Sequence, residues 1–111
     1  MTGQAAICSP LELKERRNAN ADFILLDVRT ADEAEVACLA DCVHIPLHEL
    51  ESRVDELRPW QNREIVVMCH HGGRSARAQQ FLLGRGFARV TNLAGGIDLY
   101  AVQVDPSLPR Y

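Results

Sequence analysis

The sequence predicts an α/β domain with a mainly parallel sheet, and two observations carry that prediction. Phe23-Ile24-Leu25-Leu26-Asp27-Val28 and Glu64-Ile65-Val66-Val67-Met68 are short, nearly unbroken apolar runs, the pattern of strands buried on both faces. Stretches with helical caps and helical spacing lie around them, so strands and helices alternate along the chain. With 111 residues the chain fits one domain, 1–111, able to bury roughly two-thirds of its unfolded surface around a single core.

The elements follow in order. Ser9-Pro10-Leu11-Glu12 places Ser at the cap, Pro at the first helical position and Glu three residues after the cap, so a helix is expected from Pro10 to near Asn18. Thr30-Ala31-Asp32-Glu33 repeats the device, and its two carboxylates favour a helix N-terminus. Cys42-Val43-His44 and Arg89-Val90-Thr91-Asn92 are shorter strand candidates. Leu47, Leu50, Val54 and Leu57 recur three and four apart, which predicts a helix over 47–57. A further helix is expected over 75–83, stopped by Gly84 and Gly86. Gly95-Gly96 opens a short last helix, and the segment from Asp105 to Tyr111 is expected to lie along the surface.

Composition narrows the function classes. An apolar fraction of 47% with 24% charged residues argues against disorder. The net charge of −3 argues against nucleic acid or an anionic membrane as the main partner. No apolar run reaches the ~18 residues that a membrane span needs. Met1-Thr2-Gly3-Gln4 lacks the basic and apolar regions of a secretory signal, so a cytosolic protein is expected. There, Cys8, Cys38, Cys42 and Cys69 are expected as free thiols. Cys38, Cys42, His44 and His48 contain no Cys-x-x-Cys unit and straddle a strand and Pro46, so no metal site is expected. Gly95-Gly96 lacks the spacing of a dinucleotide fingerprint, so no cofactor is expected either.

Chemistry concentrates after the strand at 64–68, in Cys69-His70-His71-Gly72-Gly73-Arg74-Ser75. In parallel sheets, ligands sit outside the carboxyl ends of the strands. Paired glycines let a loop curl so that several N–H groups converge on one point. The helix starting near Arg74 adds its unpaired N–H groups, and Arg74 adds a permanent charge. Such surroundings favour the thiolate of Cys69, the nucleophilic form. Ser75 is expected to cap or start the helix and shape the loop rather than to attack a substrate.

Four stretches together resemble the rhodanese homology domain along nearly the whole chain. Cys8-Ser9-Pro10-Leu11-Glu12-Leu13 is similar to the family's opening strand and helix, and Leu25-Leu26-Asp27-Val28-Arg29 with Glu33 to its first signature. Cys69 to Ser75 is similar to its active-site loop, and Asn92-Leu93-Ala94-Gly95-Gly96-Ile97-Asp98 to its closing signature. The resemblance implies a small five-stranded parallel sheet flanked by helices on both faces. It also implies sulfur transfer through a persulfide on Cys69, from a donor such as thiosulfate to a thiol, cyanide or a protein acceptor. His70, His71, Gly72, Gly73, Arg74 and Ser75 would then line the substrate site. Asp27 and Arg29 have two open roles, an ion pair bracing the strand against the next helix or contact at the substrate mouth. Glu33 is read as a capping-box residue.

Two departures stand out. Ala37-Cys38-Leu39 replaces the family's usual Gly-His-Ile. His70 and His71 occupy positions where thiosulfate-preferring members often carry Arg or Lys. The alternatives are a non-catalytic module that keeps the fold, and a phosphatase or arsenate reductase. Related members of the latter kind carry one residue more than the six found here from Cys69 to Arg74.

Overall fold

The two apolar runs form neighbouring central strands because their side chains find apolar cover on both sides. In the computed structural model, which describes residues 3–111, β2 (Phe23–Asp27) pairs in parallel with β4 (Glu64–Met68), Phe23 opposite Glu64 and Asp27 opposite Met68. β1 (Gln4–Cys8), β3 (Val43–His44) and β5 (Arg89–Leu93) complete a five-stranded, wholly parallel sheet in the order β1-β5-β4-β2-β3.

Alternation along the strands divides the core in two. Leu26, Ile65, Val67 and Val90 face one layer with Leu50, Val54, Leu57, Ala78 and Leu82. Leu25, Val66, Met68 and Leu93 face the other with Leu13, Ile97 and Tyr100. Thus α1 (Pro10–Asn18) and α5 (Gly96–Gln103) cover one face. The other is covered by α4 (Gly73–Gly84) and the segment 47–60.

Both capping boxes form as the sequence predicts, at Ser9–Glu12 for α1 and at Thr30–Glu33 for α2 (Ala31–Val36). The helix expected over 47–57 is corrected. Only α3 (Leu50–Arg53) is α-helical, between tighter turns at Leu47–Glu49 and Val54–Trp60, the latter containing Pro59. Pro59 lacks the N–H that would donate to the Asp55 carbonyl, so α-helical bonding cannot run on past it. The apolar spacing still buries Leu50, Val54 and Leu57.

Cys69 follows β4, the central strand. The chain visits β1 on one side of β4, moves to β2 and β3 on the other, then returns through β4 to β5. The strand order therefore reverses around the cysteine, where crevices form in parallel sheets.

Candidate active site

The loop after β4 turns its N–H groups onto one sulfur. Gly72 N–H donates to Cys69 Sγ at 3.0 Å, and the Ser75 hydroxyl lies 3.4 Å from the same atom. Gly72 adopts φ +110°, open at little cost only to glycine, and serves as the cap of α4. Gly73, expected to share that task, does not: it is the first helical residue, and a Cβ there would meet nothing within 4 Å. Ser75 is not the cap but lies in the first turn, fully buried.

Behind the sulfur stands a polar network. Ser75 Oγ is 2.5 Å from Asn92 Oδ1 and 3.1 Å from the Gly72 carbonyl, to which Asn92 Nδ2 also donates. Burial alone pushes the Cys69 thiol up, yet its pKa is lowered on balance. The Ser75 hydroxyl and the amides of Ser75, Gly72 and His71 outweigh the burial. Cys69 itself is only 1% exposed.

The closing signature locks this geometry from outside. Ile97 N–H donates to the Cys69 carbonyl at 2.9 Å and Asp98 N–H to the His70 carbonyl at 3.1 Å. With those carbonyls drawn toward α5, the loop's N–H groups remain for the sulfur. Gly96 makes the approach possible, because a Cβ there would lie 2.4 Å from both carbonyl oxygens.

Arg74 directs its hydrogen bonds to Glu33 rather than to the sulfur. Its guanidinium pairs with Glu33 at 2.5 and 2.8 Å, and Arg74 holds the Glu33 carboxyl well below the usual carboxylate range. Glu33 therefore ties α2 to α4 as well as capping α2. Of the two roles open to Asp27 and Arg29, the structure shows the ion pair bracing the strand and not contact at the substrate mouth. Both are fully buried, and Arg29 donates to both Asp27 carboxylate oxygens and to the Ala37 carbonyl at 2.7 Å. They form the brace between β2 and α2. His44 Nε2 lies 2.7 Å from the Arg29 carbonyl oxygen, so it serves the same corner.

His70 and His71 turn toward Asp98, with nitrogen–oxygen distances of 4.0 and 3.8 Å. His71 is exposed. His70 stacks on Tyr111, ring centroids 4.0 Å apart, and burial with the neighbouring His71 lowers its pKa. Its Nε2 is buried without a hydrogen-bond partner among the described residues. Asn92, Gly96 and Asp98 stand in the closing signature, but nothing in their spacing places them against Cys69. Tyr111 carried no sequence signal at all. Beside the loop, a groove of about 590 Å³ is lined by Arg74, Arg77, Val28, Leu47, Leu50 and Phe81 among others.

The family model described as Rhodanese-like domain matches residues 9–103. A sulfurtransferase of Allochromatium vinosum is 34% identical over 89 residues, covering 80% of this chain and 81% of the relative. The Arabidopsis thaliana protein "Adenylyltransferase and sulfurtransferase MOCS3" is 32% identical over 93% of this chain, which spans only 25% of that larger relative. Among solved structures, a rhodanese-related protein from Thermoplasma volcanium superposes with a TM-score of 0.77 at 28% identity, over 94% of this chain and 95% of the other. The sheet order, the cradle around one cysteine and these likenesses converge: the chain belongs to the rhodanese-like domain family.

Proposed function

We propose that this protein is a sulfurtransferase that carries a sulfane sulfur as a persulfide on Cys69. One observation carries the reading: a thiol of lowered pKa at the focus of a hydroxyl and converging amides. The Allochromatium vinosum relative, named a sulfurtransferase, supports it.

The chemistry balances in two steps. The Cys69 thiolate attacks the outer sulfur of a donor such as thiosulfate, the donor's S–S bond breaks, and sulfite leaves with the electron pair. The terminal persulfide sulfur is anionic, and the loop's N–H groups stabilise it as preformed donors. An acceptor thiolate or cyanide then attacks that sulfur and releases the Cys69 thiolate. Splitting one transfer into two displacements is what a covalent intermediate achieves. Asn92 and Ser75 keep the cradle in shape, while Gly96 and the amides of α5 hold its back.

Donor preference follows from charge. Glu33 neutralises Arg74, and His70 is biased toward its neutral form, so the mouth offers little fixed positive charge to a dianion. A persulfide or protein-bound donor fits such a mouth at least as well as thiosulfate.

Intact mass tests the reading. Incubation with thiosulfate or a low-molecular-weight persulfide is expected to add one sulfur, about 32 Da, on Cys69, and cyanide to remove it. Cys69→Ser should gain nothing. An unchanged mass with every donor would point to a binding module, and turnover of a phosphate ester to a phosphatase.

A further inference from the structure

Sulfur transfer requires access to Cys69, yet the residue is 1% exposed. The segment after α5 returns across the same end of the sheet. Arg110 Nε donates to Asp98 Oδ1 at 2.9 Å, and the Tyr111 ring lies nearly parallel to His70, 9° between planes. Tyr111 Oη accepts from Arg29 Nη1 at 3.0 Å and donates to Glu33 Oε2 at 2.8 Å. A single phenol thus meets the residue next to Cys69, the brace after β2 and the carboxylate that holds Arg74.

We propose that Tyr111 is a specificity-determining residue of the sulfur-transfer site, a gate that selects donors and acceptors by size. The proposal rests on the sulfur-transfer reading above. With the ring seated on His70, only slender groups reach the sulfur; larger ones require the ring to swing away.

The local interactions suit a gate better than a structural pin. Tyr111 is 42% exposed. The Asp105 N–H donates to the Tyr100 carbonyl and Leu108 packs against the core, so the segment is anchored as far as Leu108 and the ring moves about the residues that follow it. When the ring leaves, Glu33 keeps Arg74 and Arg29 keeps Asp27, so neither charge is stranded. His70 Nε2, unbonded while the ring is seated, gains water or a substrate atom on opening, which offsets the lost stack.

Alkylation of Cys69 tests this without any sulfur donor. The rate is followed by peptide mass mapping across pH, with iodoacetamide as the small reagent and a bulky maleimide as the large one. In Tyr111→Ala the bulky-to-small rate ratio is expected to rise about tenfold or more, since two hydrogen bonds to charged partners are lost. The midpoint of the pH profile should stay in place. Tyr111→Phe keeps the ring and loses both bonds, and should rise less. Wild-type ratios in both variants, each folded by circular dichroism, would overturn the gate. So would a moved midpoint with unchanged plateau rates, because Tyr111 would then tune the thiol rather than cover it. A gate that behaves as described in a chain that accepts no sulfur would sink sulfur transfer alone.

Discussion

The groups around the sulfur decide what kind of thiol Cys69 is. Cys8 and Cys69 are both buried, 5% and 1% exposed, yet burial pushes the Cys8 thiol up to about 11 while the Cys69 pKa is lowered. The difference lies in donors: Ser75, Gly72 and His71 reach Cys69. A lowered pKa means that thiolate appears at lower pH, so Cys69 should alkylate under conditions that leave Cys8 intact. Ser75→Ala removes the hydroxyl and keeps the amides. Its alkylation profile is expected to shift to higher pH, with a several-fold slower rate near neutrality as the thiolate fraction falls. An unmoved profile would assign the lowered pKa to the amides alone.

At the scale of elements, the contact between the β4–α4 loop and the start of α5 sets the cradle. It is dictated by backbone, so glycines report on it. Gly96→Ala puts a methyl group against two carbonyl oxygens that cannot yield without moving the loop. It is expected to destabilise by about 2–3 kcal/mol, combining overpacking with strain at φ +62°, and to abolish persulfide formation. Gly73→Ala meets open space at an ordinary φ, and should change stability by less than about 1 kcal/mol while keeping activity. Urea denaturation and persulfide mass together read both variants. Equal damage by the two would remove the special role given to Gly96.

For the whole molecule, the buried Asp27–Arg29 pair joins the end of β2 to the end of α2, and through Tyr111 to the segment after α5. A buried pair is weak as a source of net stability but costly to break from one side. Asp27→Asn leaves the Arg29 guanidinium without its counter-charge and is expected to cost about 3–5 kcal/mol. That is a large share of the roughly 5–15 kcal/mol holding a typical domain together. Denaturant titration measures it; a loss below about 1 kcal/mol would show that the carbonyls of α2 suffice for Arg29.

Short-range physics made much of this legible in the chain itself. Two apolar runs identify the central strands, Ser-x-x-Glu and Thr-x-x-Glu spacings fix the starts of α1 and α2, and Cys69 ahead of two glycines and a helix marks the cradle. These signals lie within a few residues of one another, where backbone geometry leaves few choices. Tertiary structure alone decided which partners distant residues found. Glu33 meets Arg74, 41 residues away, Gly96 backs onto the Cys69 carbonyl, and Tyr111 settles on His70. For Arg74 the sequence shows a charge but not its counter-charge, which lies on another helix. Asp27 and Arg29 left two roles open because only packing distinguishes a buried brace from an open mouth. Local spacing determined the cysteine and its loop; the folding of three loops onto one end of the sheet decided how that cysteine is charged, backed and covered.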